Sequence, residues 1–202
     1  AAYAARYRAL IDRVRAREAQ VAPGQTALTE AAARYAFKLM AYKDEYEVAR
    51  LYTDGAFLKQ IGDQFEGDYR LQFHLAPPIF ADRDPETGRL RKRTYGPWML
   101  KAFGLLARMK RLRGTRFDPF GRTAERRRER QLIADYFAEI EEILAGLTPE
   151  NHHLAVEIAR IPELIRGFGH VKEEHLAKAK AREAELLQAF RNPPAPTLAA
   201  AE

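Results

Sequence analysis

The stretch Tyr35–Tyr52, YAFKLMAYKDEYEVARLY, constrains this chain more than any other. Placed on a helix at 100° per residue, it has two apolar sides. Tyr35, Leu39, Tyr42, Tyr46 and Ala49 share one, and Phe37, Met40, Ala41, Val48 and Leu51 share the other. A helix that is apolar all round is covered all round, so the pattern predicts a central, sandwiched helix. Asp44 falls within the second apolar side, where a carboxylate without a partner is costly. Lys43, Glu47 and Arg50 are spaced to form a charged ladder beside it. The expectation is a buried, structural polar network of Asp44, Lys43, Glu47 and Arg50, with Arg93 and Arg166 as the first cations to seek beside Asp44.

Punctuation along the chain predicts about seven helices and one small β-hairpin, a mainly α fold packed around that central helix. Residues 2–20 read as the first helix, stopped by Pro23-Gly24. Thr26 or Thr29 is placed to cap the long helix to Tyr52. Asp54-Gly55 breaks it, and Ala56–Phe65 can form a short helix. Tyr69–Leu75, YRLQFHL, alternates apolar and polar residues as a half-buried strand does, ending at Pro77-Pro78. A turn at Asp84–Gly88 and a return strand in Leu90–Tyr95 would complete the hairpin.

Pro97 suits the first position of a helix to Leu112, with Trp98, Leu100, Phe103, Leu105 and Leu106 on its apolar stripe. Gly114 stops it. Asp118–Gly121 is a turn, and Thr123 can cap a helix to Leu144 with an apolar stripe from Leu132 to Ile143. Thr148 and Pro149 open the next helix, interrupted near Pro162. Arg166–Gly169 links it to a last helix, His170–Phe190. The proline-containing tail 192–202 is expected to be disordered.

The 202 residues suit one domain or two small ones, and no boundary is visible, so a single module over 1–191 is expected. No run of 18 apolar residues predicts a membrane span. The chain has no cysteine, which excludes disulfides, cysteine nucleophiles and thiolate-ligated clusters within it and fits a reducing cytoplasm. It begins at Ala1, already in a helical pattern, as a piece of a longer protein would.

The net charge of +6 conceals a basic band: from Arg83 to Arg130, 16 Lys/Arg stand against 5 Asp/Glu. Such a band suits nucleic acid, an acidic protein or an acidic surface of a larger chain. Aromatic residues accompany it at Tyr95, Trp98, Phe117 and Phe120, but no nucleic-acid-binding signature does, and Trp98 and Phe103 fit a core.

Three other features carry possible chemistry. Asp44 could be a tuned acid or base, alone or with His170, but an ion pair is the simpler account. The histidines make no metal set: His152 and His153 diverge by 100°, His170 and His175 face differently, and His170 with Glu174 supplies only two ligands. The link Arg166–Lys172, RGFGHVK, has glycines, cations and a helix start suited to an anion. An interhelical turn accounts for it more simply.

Five strings taken together resemble one family. They are Tyr42–Tyr52, YKDEYEVARLY; Phe65–Pro78, FEGDYRLQFHLAPP; Arg93–Leu100, RTYGPWML; Asp118–Arg127, DPFGRTAERR; and Arg166–Lys172, RGFGHVK. In this order they are similar to segments of the C-terminal region of the fused-chain indolepyruvate ferredoxin oxidoreductases, covering about Ala31 to Arg191.

The resemblance implies a parent enzyme that oxidatively decarboxylates arylpyruvates to acyl-CoA and passes electrons to ferredoxin, using thiamine diphosphate, magnesium and iron–sulfur clusters. The thiamine signature and the cluster cysteines are absent from this chain. The resemblance therefore implies a C-terminal module with no catalytic residue and no cofactor of its own. Its expected partners are upstream domains, an acidic ferredoxin or CoA, and its expected location is the cytoplasm. Arg93, Arg126, Arg127, Arg166 and Lys172 are the candidate anion or partner contacts. A basic nucleic-acid-binding module is the alternative.

Overall fold

The computed structural model describes residues 2–75, 91–167 and 170–192. The expectations for Pro77-Pro78, the Asp84–Gly88 turn, Arg83, Phe168-Gly169, the His170 side chain and the tail from 193 lie outside these residues. The fold is mainly helical with one two-stranded antiparallel hairpin. Among the described residues no helix is long and apolar enough to cross a membrane. The chain divides into two compact units: Ala1–Tyr42 with Glu129–Glu202, and Lys43–Arg128.

The expected central helix is two helices. α1 (Ala2–Val21) is followed by α2 (Ala27–Met40); the chain then leaves helical geometry at Ala41–Asp44 and starts again as α3 (Glu45–Thr53). The two apolar sides arose from running one helical phase through this break. Tyr35, Leu39, Tyr46 and Ala49 are buried, whereas Phe37 and Ala41 are exposed. Asp44 stops the run by capping α3: its carboxylate accepts the Glu47 amide at 2.8 Å, one of the donors a helix start leaves unpaired.

In the first unit, Leu10, Ile11 and Val14 form the inner stripe of α1. They join Leu28, Ala32 and Ala36 of α2 in one core. α6 (Ala124–Gly146) contributes Ile133, Tyr136, Ile140 and Ile143; α7 (His152–Arg160) contributes Ala155 and Ile158; α8 (His170–Arg191) contributes Ala179, Leu186 and Phe190. Burying a side chain such as Leu10 or Ile140 stabilises by roughly 1.5–3 kcal/mol. Arg17 crosses from α1 to donate to the Leu144 and Leu147 carbonyls at 3.1 and 3.0 Å, satisfying acceptors left over at the end of α6. The helix expected to open at Pro149 starts one turn later. Thr148 and Asn151 exchange hydrogen bonds, and Asn151 takes the cap position. Near Pro162 it tightens into a 3-10 turn, Ile161–Leu164.

The second unit packs α3 against α5 (Met99–Arg108), with α4 (Ala56–Gln64) beside α3. Strands β1 (Phe73–Leu75) and β2 (Arg93–Tyr95) pair with Phe73 opposite Tyr95 and Leu75 opposite Arg93. Both are shorter than the sequence pattern predicts. Tyr52 organises the core: its ring stacks on Phe103 at 5.1 Å and meets Phe57 and Phe73 edge-on at 4.9 and 5.4 Å, geometries that suit the ring quadrupole. Ala49, Phe73, Met99 and Phe103 are its buried members.

Pro97 lies in a turn rather than in the helix, which starts at Met99 and ends in a 3-10 turn, Met109–Leu112. Gly114, at φ 75°, supplies the left-handed conformation that stops this run.

Candidate functional site

At the start of α3, three consecutive residues each hold a distant part of the second unit. Asp44 is buried, and besides capping α3 it takes Arg113 in a two-point grip, Nη2 to Oδ1 at 2.7 Å and Nε to Oδ2 at 2.5 Å. Glu45 takes Arg126 in the same way, at 3.1 and 3.2 Å. Tyr46 donates its hydroxyl to Asp118 at 3.0 Å. The planar guanidinium fork matches both carboxylate oxygens at once, so each arginine fixes direction as well as charge.

Asp118 in turn builds the loop before α6. It accepts the amides of Gly114, Gly121 and Phe120 at 2.8, 3.0 and 3.2 Å. Burial alone would raise its pKa; the Gly114 and Gly121 amides, the Tyr46 hydroxyl and the Phe120 amide outweigh that and hold it below the usual range. Tyr46 is raised, first by burial and then by the Asp118 carboxylate. A β-carbon on Gly121 would collide with the Asp118 carboxylate, which explains glycine at that place in the DPFG string. Thr123 caps α6 as expected, accepting the Arg126 amide at 3.3 Å.

These groups form a scaffold. Both oxygens of Asp44 are occupied, and its ion-pair partner is Arg113 rather than Arg93 or Arg166. Of the network expected around it, Glu47 and Arg50 pair at 2.7 Å, and Arg50 continues to Asp54 at 3.0 Å. Arg50 holds Glu47 below its usual pKa. Lys43 is exposed and precedes the helix.

The outside of the second unit is different. Trp98, Lys101, Leu105 and Arg108 follow one another at helical spacing on the outward side of α5, opposite Met99 and Phe103. Trp98 is 58% and Leu105 63% exposed, so the expectation that Trp98 belongs to the core is corrected, and Leu105 of the expected apolar stripe faces outward with it. At 100° per residue Trp98 and Leu105 share one side of the helix and Met99 and Phe103 another, so setting Met99 and Phe103 against the core turns the first pair outward. Lys110 and Arg111 lie just beyond, and Phe117 is 66% exposed with the Arg116 guanidinium 4.8 Å from its ring centre. From Arg91 to Phe117 the sequence has no Asp or Glu.

The five candidate cations separate into different roles. Arg126 is mostly buried in its pair with Glu45. Lys172 pairs with buried Glu129. Arg166 donates to the Glu163 carbonyl at 3.0 Å. Arg93 lies on β2 and Arg127 on the first turn of α6, both outside the hydrophobic cores.

Two nodes in the first unit go beyond the sequence expectations. Glu18 is buried and accepts the amides of Leu28 and Thr29 at 2.8 Å each, the Thr29 hydroxyl at 2.5 Å, and lies 2.8 Å from His152 Nε2. It supplies from α1 the cap that neither Thr26 nor Thr29 provides to α2. Burial opposes the Glu18 charge, but these hydrogen bonds together keep its pKa below normal. No local pattern signals this role, because a glutamate on α1 reads as a solvated charge.

The second node is Glu139. It is buried, and its Oε1 is, among the described residues, the buried side-chain atom without a hydrogen-bond partner. It lines a cavity of about 10 Å³ with Tyr136, Ile165, Lys180 and Glu183. Burial, then the Glu183 charge, pushes its pKa up to about 8, so it is largely neutral at pH 7.

His152 serves Glu18, and His175 Nδ1 lies 2.9 Å from the Arg166 carbonyl. Among the described residues no group of three or more His, Cys, Asp or Glu could hold a metal.

A family model described as a family of unknown function (DUF6537) matches residues 1–185, and the chain belongs to that family. No curated protein and no solved structure matches it.

Proposed function

We propose that this family member is a non-catalytic docking module of a larger thiamine-diphosphate-dependent indolepyruvate (2-oxoacid):ferredoxin oxidoreductase. The outward side of α5 is the observation that carries the docking role: Trp98 and Leu105 alternate there with Lys101 and Arg108. A protein interface uses this mixture, aromatic and aliphatic anchors among cations, to bind and orient an acidic partner. The five ordered strings support the parent family, and within that reading the partner is an acidic ferredoxin in the cytoplasm. The parent's clusters would need thiolates, and its thiamine diphosphate and magnesium the thiamine signature, and this chain has neither, so all three are assigned to upstream domains. CoA and those upstream domains are the other anionic or covalently linked surfaces the basic side would meet.

The rival is a nucleic-acid-binding module, favoured by the exposed Trp98 and Phe117 among the same cations. Calorimetric titration of the 202-residue chain with an acidic ferredoxin, and separately with a single-stranded oligonucleotide, decides between them. Docking predicts ferredoxin binding that weakens with salt and falls at least about tenfold in the Lys101→Glu/Arg108→Glu variant. Binding of the oligonucleotide without ferredoxin binding would favour the rival. Turnover of indolepyruvate by this chain with thiamine diphosphate, magnesium, CoA and an electron acceptor would overturn the non-catalytic reading.

A further inference from the structure

We propose that a groove between α2 and α7 in the first unit binds a small oxyanion, a carboxylate or phosphate, through Arg34 and Arg160. The groove encloses about 120 Å³. Ala27, Ala31 and Val156 give it apolar walls, and Arg34, Arg160 and Glu30 border it with Tyr35. Both arginines are exposed, and among the described residues neither guanidinium has a hydrogen-bond or ion-pair partner. Elsewhere in the unit Arg13, Arg182 and Arg191 are held by carboxylates and Arg17 by carbonyls.

The two cations converge electrostatically. Each acts on the Tyr35 hydroxyl, favouring its ionised form, although burial and then Glu163 dominate and raise its pKa. The nearby carboxylates are already engaged: Glu163 accepts the Tyr35 hydroxyl at 2.7 Å, and Glu30 accepts the Thr26 hydroxyl at 2.8 Å. An incoming oxyanion therefore meets two guanidinium forks with unused donors, whose flat geometry matches carboxylate and phosphate oxygens. The small alanines at Ala27 and Ala31 leave room for the body of the ligand, and Val156 offers it an apolar contact. A carboxylate with a short branched chain would use walls and forks together; inorganic phosphate would use the forks alone.

The test is titration calorimetry of the whole chain at low ionic strength with inorganic phosphate and with 3-methylbutanoate, against chloride. At least one probe should bind above chloride, and Arg34→Gln or Arg160→Gln should weaken it at least about tenfold. Tighter binding of 3-methylbutanoate assigns an organic acid; tighter binding of phosphate assigns a phosphoryl group. Arg160→Lys, which keeps charge but loses the fork, should bind more weakly than the native chain and more tightly than Arg160→Gln. Far-UV circular dichroism checks that these surface variants remain folded. No binding of either probe above chloride, or equal binding by the Gln variants, would overturn the proposal. None of these residues lies on α5, so failure here leaves the docking reading standing.

Discussion

Tyr46 donates its hydroxyl to Asp118 across 72 residues of sequence, at 3.0 Å, and both side chains are buried. The bond joins α3 to the loop that starts α6. Asp118→Ala would leave three amides and one hydroxyl without their acceptor and should destabilise by about 3 kcal/mol or more. Tyr46→Phe removes one donor and should lose about 1–2 kcal/mol. Urea unfolding of the two variants and the double variant should give a coupling of at least about 0.5 kcal/mol; strict additivity would mean that the bond contributes nothing.

Gly121 and Gly62 should respond oppositely to alanine. At Gly121 the new β-carbon meets the Asp118 carboxylate, so Gly121→Ala must disturb the loop and should lower the melting temperature. At Gly62, inside α4, a β-carbon meets nothing within 4 Å. There Gly62→Ala should stabilise by about 0.5–1 kcal/mol through helix propensity. Equal melting temperatures for the two variants would contradict the cause given for Gly121.

Glu18 should make stability fall in acid. Its folded pKa lies below the unfolded one, because the hydrogen bonds from Thr29, His152 and Leu28 exceed the burial penalty. The unfolded chain then binds the proton first, so the contribution is present above the ordinary glutamate pKa and is lost as pH falls through the folded value. Glu18→Gln should cost about 2 kcal/mol at neutral pH. The difference from the native chain should shrink in acid below the ordinary glutamate range, as measured by denaturant unfolding under both conditions.

Glu139 has the opposite sign. Its folded pKa of about 8 exceeds the unfolded one, so from the ordinary carboxylate range up to about 8 the folded chain holds a proton that the unfolded chain has released. Stability should decline by up to about 1.4 kcal/mol per pH unit over that window. Lys180, Glu183, Glu142 and Asp135 share its surroundings, and Lys180 moderates the slope. Glu139→Gln should flatten the profile between about pH 5 and 8. An unchanged slope would show that Glu139 ionises without penalty.

Helix positions are legible in the sequence where a local device marks their ends. Thr123 before α6, the proline near the end of α7 and the Pro23-Gly24 stop all act within a few residues. The break at Ala41–Asp44 has neither proline nor glycine, so periodicity runs through it. Its local signal is nonetheless present in Asp44 and Glu47, a capping residue with glutamate three positions later. The buried partners are beyond local reach: Arg113 lies 69 residues from Asp44, and His152 lies 134 from Glu18. Outward Trp98 misleads because large aromatic area argues for burial whichever way a helix starts. Arg34 and Arg160 carry no mark of their own, since unpaired surface arginines look alike until the fold places two on one groove.

The division of the first unit between residues 1–42 and 129–202 imposes an order in time. The ribosome releases α1 and α2 early, yet Glu18 cannot meet His152 until another 134 residues have been made. The whole of 43–128 emerges in that interval and can collapse on its own aromatic cluster. The nascent helices α1 and α2 meanwhile expose Leu10, Val14 and Leu28, the surface on which chaperones act or premature association begins. For this chain the hazard of synthesis lies in how long those two helices wait.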